Sequence, residues 1–168
     1  MKKIFLAVVV ALFSINAMAQ HEIGGIVGGL NGVSYKYWFN DNVALQADLA
    51  VGLTRAAGSE YGHSWNAGVY DFTINPNALY HFDLPANFKV YLGGGLNFGL
   101  VNWLEGGMNE TVMGKFGVNA VAGLSYDIQA VPLVLAFDFR PGYGLGFRDG
   151  GTINYFDWKL AFAIRYRL

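Results

Sequence analysis

The sequence predicts an all-β fold, an eight-stranded antiparallel up-and-down transmembrane β-barrel. Three observations support this prediction: an export signal at the N-terminus, apolar residues at every second position of most segments, and turn residues between the segments. A membrane barrel needs no long apolar run, because its apolar residues alternate around a closed sheet. The composition agrees, since 54% of the 168 residues are apolar and 14% are charged, with 23 glycines.

Residues 1–19 have the layout of a secretory signal peptide. Two lysines precede an apolar run from Ile4 to Phe13, and a small-residue triplet suited to cleavage ends at Ala19. The apolar run is shorter than the ~20 residues of a spanning helix, so a cleaved signal is favoured over an uncleaved anchor. We expect residues 20–168 to form one outer-membrane β-barrel domain.

Charge and cysteine content argue against several classes of function. The net charge is -1 and no cluster of Lys and Arg is present, so no nucleic-acid partner is expected. Without cysteine the chain has neither disulfides nor thiolate metal sites, and it cannot be acylated on an N-terminal Cys. His21, His63 and His81 lack the spacing of metal ligands, so neither a metal nor a cofactor is expected.

Alternation of apolar and polar residues defines the strands. The segment from Val43 to Leu53 and the C-terminal segment from Phe156 to Leu168 are the clearest, because each has one wholly apolar face. Turn residues make seven connections and therefore eight strands. The predicted strands lie near 22–30, 33–39, 43–54, 65–82, 88–102, 113–128, 132–142 and 153–167.

The connections and the aromatic residues predict an orientation. Those at Asn40, Asp83 and Ala130 are short, as periplasmic turns are, whereas 55–64, 102–112 and 143–152 read as longer outer loops. Pro76 lies inside the fourth strand, where we expect a β-bulge. Aromatic girdles mark both membrane interfaces. The periplasmic girdle comprises Tyr37, Phe39, Tyr80, Phe82, Phe88, Tyr126 and Tyr166, and the outer girdle comprises Tyr70, Trp103, Phe116, Tyr143, Phe156 and Trp158.

Over most of its mature length the chain resembles the small eight-stranded outer membrane β-barrel family of the OmpA/OmpX type. The resemblance rests on the period-two strands, the turn at 39–42, the Phe139-Arg140-Pro141-Gly142 segment and the C-terminal residues 163–168. It implies insertion by the barrel-assembly machinery, which reads a C-terminal signal of alternating apolar residues. The corresponding residues here are Phe162, Ile164, Tyr166 and Leu168. Family members usually end on an aromatic residue, and this chain ends on leucine.

Inward positions of the predicted strands collect charged residues that should form an ion network in the lumen. These are Lys36, Asp48, Asp71, Lys89, Asp127, Asp138, Arg140, Asp157, Lys159, Arg165 and Arg167. Buried charges must pair, because an isolated one costs several kcal/mol. The favoured interpretation is a plugged lumen, and a polar conduit or gate is the alternative. Small inward residues such as Gly123 and Ala136 require bulky neighbours, for which Trp38, Tyr91 and Arg140 are candidates, unless a small cavity survives.

The expected role is structural or surface-interacting, without catalysis, for a monomer surrounded by lipid and lipopolysaccharide. A small-ligand binder or narrow channel is the second hypothesis. A lipid-modifying enzyme that uses His63, Ser64, Ser59 and Glu60 is the third, but adjacent loop residues rarely reach catalytic geometry. A soluble lipocalin-type barrel, with its apolar face inward, is a further alternative; the many large rings favour the membrane.

Overall fold

The computed structural model describes residues 21–60, 63–105, 109–148 and 151–168. The predicted signal peptide lies outside these ranges. The strands are β1 (His21–Gly28), β2 (Asn31–Trp38), β3 (Val43–Glu60), β4 (His63–Asp83), β5 (Phe88–Glu105), β6 (Asn109–Ile128), β7 (Leu133–Arg148) and β8 (Gly151–Arg167), with a short 3-10 turn at Pro85–Asn87. Among the described residues, no helix is long and apolar enough to cross a membrane.

The strands close into one antiparallel barrel. Each strand pairs with the next in sequence, and β1 pairs with β8 from Glu22 opposite Arg167 to Gly28 opposite Ala161. Pairing of the first strand with the last leaves no free sheet edge at this level, which is the condition for crossing a bilayer with strands. The predicted eight-stranded up-and-down barrel is confirmed.

The direction of the side chains decides which surface of the wall is apolar. On β8 the alternating Phe162, Ile164 and Tyr166 are 39–48% exposed on the outer surface, whereas Ala163 and Arg165 between them are at most 1% exposed. The same alternation holds on the other strands, so apolar rings face outward and charges face inward. A lipocalin-type barrel would show the reverse, and that alternative is wrong.

Two of the turns that join the strands show why the chain reverses there. Asn40 Oδ1 accepts hydrogen bonds from the N–H groups of Asn42 (3.0 Å) and Val43 (2.8 Å), which closes the predicted tight turn. At the other end of the barrel, the first turn is not at residues 31–32, where the predicted strands 22–30 and 33–39 would place it. It lies between Gly28 and Asn31, because Gly28 takes up the left-handed region at φ 117° and the Asn31 side chain bonds its N–H and C=O.

The long outer loops predicted at 55–64, 102–112 and 143–152 are wrong. Their residues mostly belong to strands, with β3 continuing to Glu60, β5 to Glu105 and β7 to Arg148. The apolar alternation fades in these segments, but the backbone ladder continues. Beyond the apolar belt neither sheet face must match lipid, so a hairpin can extend without period-two patterning.

The β-bulge predicted at Pro76 is also wrong. Ile74 lies opposite Phe98 and Asn77 lies opposite Gly95, so the register of β4 and β5 is the same on both sides of the proline. Pro76 still pairs with Ala47 on β3. The missing N–H therefore interrupts the ladder on one side only, and no extra residue is inserted.

Candidate functional site: the charged lumen

The inward side chains form three layers of ion pairs along the barrel axis. The end that carries the chain termini is called the terminal end, and the opposite end the outer end. The terminal layer contains Glu22, Asp127 and Arg167, the middle layer contains Asp48, Asp138 and Arg140, and the upper layer contains Asp71, Lys115, Asp157 and Lys159. The terminal and upper layers each bring together side chains from three strands, and the middle layer brings together side chains from β3 and β7.

In the terminal layer, Glu22 is the shared acceptor. Its Oε1 receives the Trp38 indole N–H at 2.9 Å and the Arg167 guanidinium at 3.1 Å, and Arg167 also reaches Asp127 at 3.1 Å. The Trp38 ring lies 4.2 Å from the ring of His81, centroid to centroid. Two aromatic rings therefore lie together in the lumen at this end, and the indole hydrogen bond fixes the orientation of Trp38.

Lys36 lies next to the Trp38 and His81 rings and is held by aromatic groups. Its Nζ donates to His81 Nε2 at 3.2 Å and lies 4.7 Å from the centre of the Tyr91 ring and 5.4 Å from that of Trp38. The negative faces of aromatic rings attract a cation, and the attraction strengthens where water is excluded. Ring contacts and one imidazole nitrogen thus take the place of a carboxylate partner in direct contact.

The middle layer is centred on Arg140. Its guanidinium donates to Asp48 at 2.6 Å and to Asp138, and all three side chains are buried. Gln46 Nε2 donates to Asp48 at 3.0 Å, and the Tyr91 hydroxyl donates to Asp138. An arginine offers several donors in a fixed plane, so one side chain can bridge two carboxylates across the lumen.

The upper layer is centred on Asp71. Lys159 donates to Asp71 at 2.8 Å, Lys115 donates to the same carboxylate, and Lys159 lies 3.4 Å from Asp157. Nearby, the Tyr155 hydroxyl donates to Asn97 at 2.9 Å. Two lysines and two aspartates make this layer electrically neutral.

Charge is balanced along the described lumen. The six carboxylates are Glu22, Asp48, Asp71, Asp127, Asp138 and Asp157, and the six cations are Lys36, Lys115, Arg140, Lys159, Arg165 and Arg167. Arg165, which is fully buried, donates from Nε to the Ser34 hydroxyl at 2.9 Å. Balance within a narrow lumen matters because an unpaired buried charge is strongly destabilising.

The predicted network residues differ in their position. Eight of them are buried in the lumen, whereas Asp127 and Arg167 are half-buried at the terminal end. Lys89 lies at the mouth, where it pairs with the exposed Asp83 at 3.1 Å. The eight buried residues are Lys36, Asp48, Asp71, Asp138, Arg140, Asp157, Lys159 and Arg165.

Two members of the network, Glu22 and Lys115, are absent from the sequence-based set. Lys115 lies within the predicted strand 113–128 and shares the parity of Asn119 and Ser125, so the period-two rule alone would have identified it. Glu22 precedes a glycine-rich stretch that gives little alternation. Its signal was the single apolar neighbour Ile23, which is exposed on the outer surface.

The small inward residues are matched by larger partners. Tyr91 packs onto Gly123, where an added Cβ would overlap Cζ of the ring. The space beside Ala136, Ala161 and Ala163 is filled instead by side chains from β1 and from the first turn. Ile26 and Leu30 form a buried cluster with them and with Ala50.

Other candidate residues lie outside the lumen. The predicted assembly signal, Phe162, Ile164, Tyr166 and Leu168, forms an exposed apolar row on the outer surface of β8 and at its end. Its role in assembly stays a prediction. The side chains of His63, Ser64, Ser59 and Glu60 are outside the described part of the structure; their backbones pair at the end of the β3–β4 hairpin. Among the described residues, no group suited to holding a metal ion occurs.

Comparison with known proteins gives matches in structure only. No protein-family model matches the chain, and no curated protein matches it in sequence. The crystal structure of Neisserial surface protein A aligns with 89% of this chain and 94% of its own, with a TM-score of 0.60 and 17% identity. The N-terminal β-barrel domain of Pseudomonas aeruginosa OprF aligns over 89% and 96%, with a TM-score of 0.55 and 16% identity.

A third structure comes from a lipid bilayer. Outer membrane protein AlkL, determined by solid-state NMR, aligns with 91% of this chain and 91% of its own, with a TM-score of 0.54 and 16% identity. At such identities the likeness shows the fold. The chain therefore has the fold of the small eight-stranded outer-membrane β-barrels, and the resemblance drawn from its sequence is confirmed at that level.

Proposed function

We propose that this chain is a closed, non-conducting barrel of the Gram-negative outer membrane that acts as a structural or surface-interacting protein without catalysis. Its apolar outer wall contacts lipid and lipopolysaccharide, and its lumen is a plug. The terminal end, where His21 and Leu168 lie side by side, faces the periplasm. The longer hairpins β3–β4, β5–β6 and β7–β8 extend from the outer end toward the exterior.

The stacked ion pairs are the observation that carries the proposal. An eight-stranded barrel has just enough interior space for its own side chains. Here Arg140 bridges Asp48 and Asp138 inside that space, and Trp38 is buried at the terminal end, where it donates to Glu22. To pass, a hydrated ion would have to separate buried pairs, each of which costs several kcal/mol to break.

Planar-bilayer recording tests this proposal. The purified, folded wild-type protein should produce no stable conductance steps, and its folded state is checked by the faster gel migration of the unheated sample. Stable steps in a preparation that migrates entirely as the folded form would contradict the plug and would favour the narrow-channel alternative.

A further inference from the structure

The first hairpin is much shorter than the rest of the wall. β1 and β2 have eight residues each, whereas β3 to β8 have 16–21. The hairpin ends at the turn between Gly28 and Asn31, and Asn31 lies opposite Val51. β3 continues nine residues beyond this point, to Glu60, and no part of the first hairpin accompanies it.

Above the hairpin tip, β3 and β8 become neighbours. Ala56 lies opposite Asp157 and Ala57 lies opposite Phe156. At this end the other ladders also persist, with Tyr70 of β4 opposite Asn102 of β5 and Gly114 of β6 opposite Phe147 of β7. The wall therefore loses two strands and still closes.

We propose that the barrel has eight strands through its apolar belt and narrows to a six-stranded neck at the outer end, and that this neck seals the barrel there. The neck comprises β3 to β8 around the β3–β8 contact. Barrel diameter grows with strand number, and eight strands already leave room only for side chains. The sealing role rests on the proposed closed barrel, whereas the strand contact stands independently.

The interior of the outer end fits a reduced diameter. Glycines supply the inner face of β7 here, and an added Cβ at Gly144 would lie 2.5 Å from the Phe116 carbonyl oxygen and 2.6 Å from the Tyr155 hydroxyl. Tyr155 is buried and fills the space, and Lys115 Nζ lies 5.7 Å from its ring centre. A wider ring of strands would leave these glycines without contact partners.

The hairpin tip is anchored at the point where the wall changes. The Gly29 N–H donates to the Leu160 carbonyl of β8 at 2.7 Å, and Leu30 points into the lumen, where it is buried. On the β3 side, a Cβ added to Gly52 would lie 3.0 Å from the Gly29 carbonyl oxygen. The tip is thus wedged between β3 and β8, and its height sets where the neck begins.

A cysteine pair tests the strand contact, and the chain contains no cysteine of its own. We would oxidise Ala57→Cys/Phe156→Cys in outer membranes and compare reduced and non-reduced gels. A disulfide needs Cα atoms no more than ~7 Å apart. If β1 and β2 reached this level, three interstrand steps would separate β3 from β8 by roughly 14 Å. The neck predicts that most of the protein crosslinks.

The matched control is Val51→Cys/Phe156→Cys, which places the first cysteine six positions lower on β3, beside the hairpin, and should not crosslink. A third variant lengthens the first hairpin by about ten residues of alternating Val and Thr, inserted after Gly29 so that both strands grow in register. It should lose the Ala57→Cys/Phe156→Cys crosslink while still migrating as a folded barrel.

Each result decides between claims. No crosslink in the folded, unextended variant would overturn the neck and leave the lumen plug standing. A crosslink that survives the hairpin extension would show that hairpin length does not set the contact between β3 and β8. That result would overturn the claim that the height of the hairpin tip sets where the neck begins. A crosslink in a protein that conducts would overturn the closed barrel and the sealing role together.

Discussion

Individual residues of the lumen are held in place by pairing, and the middle layer shows this most clearly. Among the described residues, Arg140 is the single cation that contacts both Asp48 and Asp138. Removing one partner of a buried pair leaves charge without compensation, whereas an exposed pair gains little from its contact. The two kinds of pair in this protein should therefore respond very differently to mutation.

Arg140→Ala should lower the free energy of unfolding by about 3–5 kcal/mol, because two buried aspartates lose their partner. Urea unfolding in lipid vesicles, followed by tryptophan fluorescence, measures the loss. The matched variant is Asp83→Asn, which breaks the pair between Lys89 and an aspartate side chain that is 65% exposed. It should cost less than about 1 kcal/mol. Equal losses for the two variants would contradict the buried network.

Gly123→Ala should destabilise the barrel by about 1–3 kcal/mol, because the added methyl group meets the Tyr91 ring and the core is overpacked. The ring cannot turn away without losing its hydrogen bond to Asp138. Gly25→Ala is the control: its Cβ would come no closer than 3.9 Å to any neighbour. The same unfolding assay compares them, and an unaffected Gly123→Ala variant would argue against the filled lumen.

Strands were the elements that the sequence predicted best inside the apolar belt, because lipid on one side and charge on the other force strict alternation. β8 shows this from Phe156 to Tyr166. The prediction failed where that constraint ends. The outer ends of the hairpins and the glycine-rich β1 lack the alternating pattern. The lengths of the hairpins and the inward position of Glu22 could therefore not be predicted. Pairing between β3 and β8 leaves no local signal in the sequence.

Leu49→Arg tests which face of β3 meets lipid. Leu49 is 47% exposed and lies opposite Val33 on β2 and Ile74 on β4, both exposed and apolar. Arginine near the middle of the apolar belt should cost about 2–4 kcal/mol of folding free energy in vesicles, since its charge must enter hydrocarbon. Ala130→Arg, at an exposed position of the β6–β7 turn outside the belt, should be nearly neutral. A tolerated arginine at position 49 would place that face in water.

The whole molecule is an apolar cylinder around a polar, charge-balanced axis. Such an arrangement reverses that of a soluble protein and is stable only where lipid covers the wall. In the account proposed here, two features close it: side-chain layers inside the belt and the six-stranded neck outside it. The layers follow from the parity of residues such as Asp48 and Lys159, but how they pair depends on barrel register, which sequence alone does not provide.

A cysteine scan along β8 tests the lipid-facing assignment most directly. Single cysteines replace residues 160–166 one at a time in the cysteine-free chain, and a maleimide carried by a lipid labels them in folded barrels. The rate should alternate, fast at Leu160, Phe162, Ile164 and Tyr166 and slow at the three positions between. Equal rates at all seven positions, or fast labelling at Ala161, Ala163 and Arg165 instead, would contradict an apolar wall around a charged lumen.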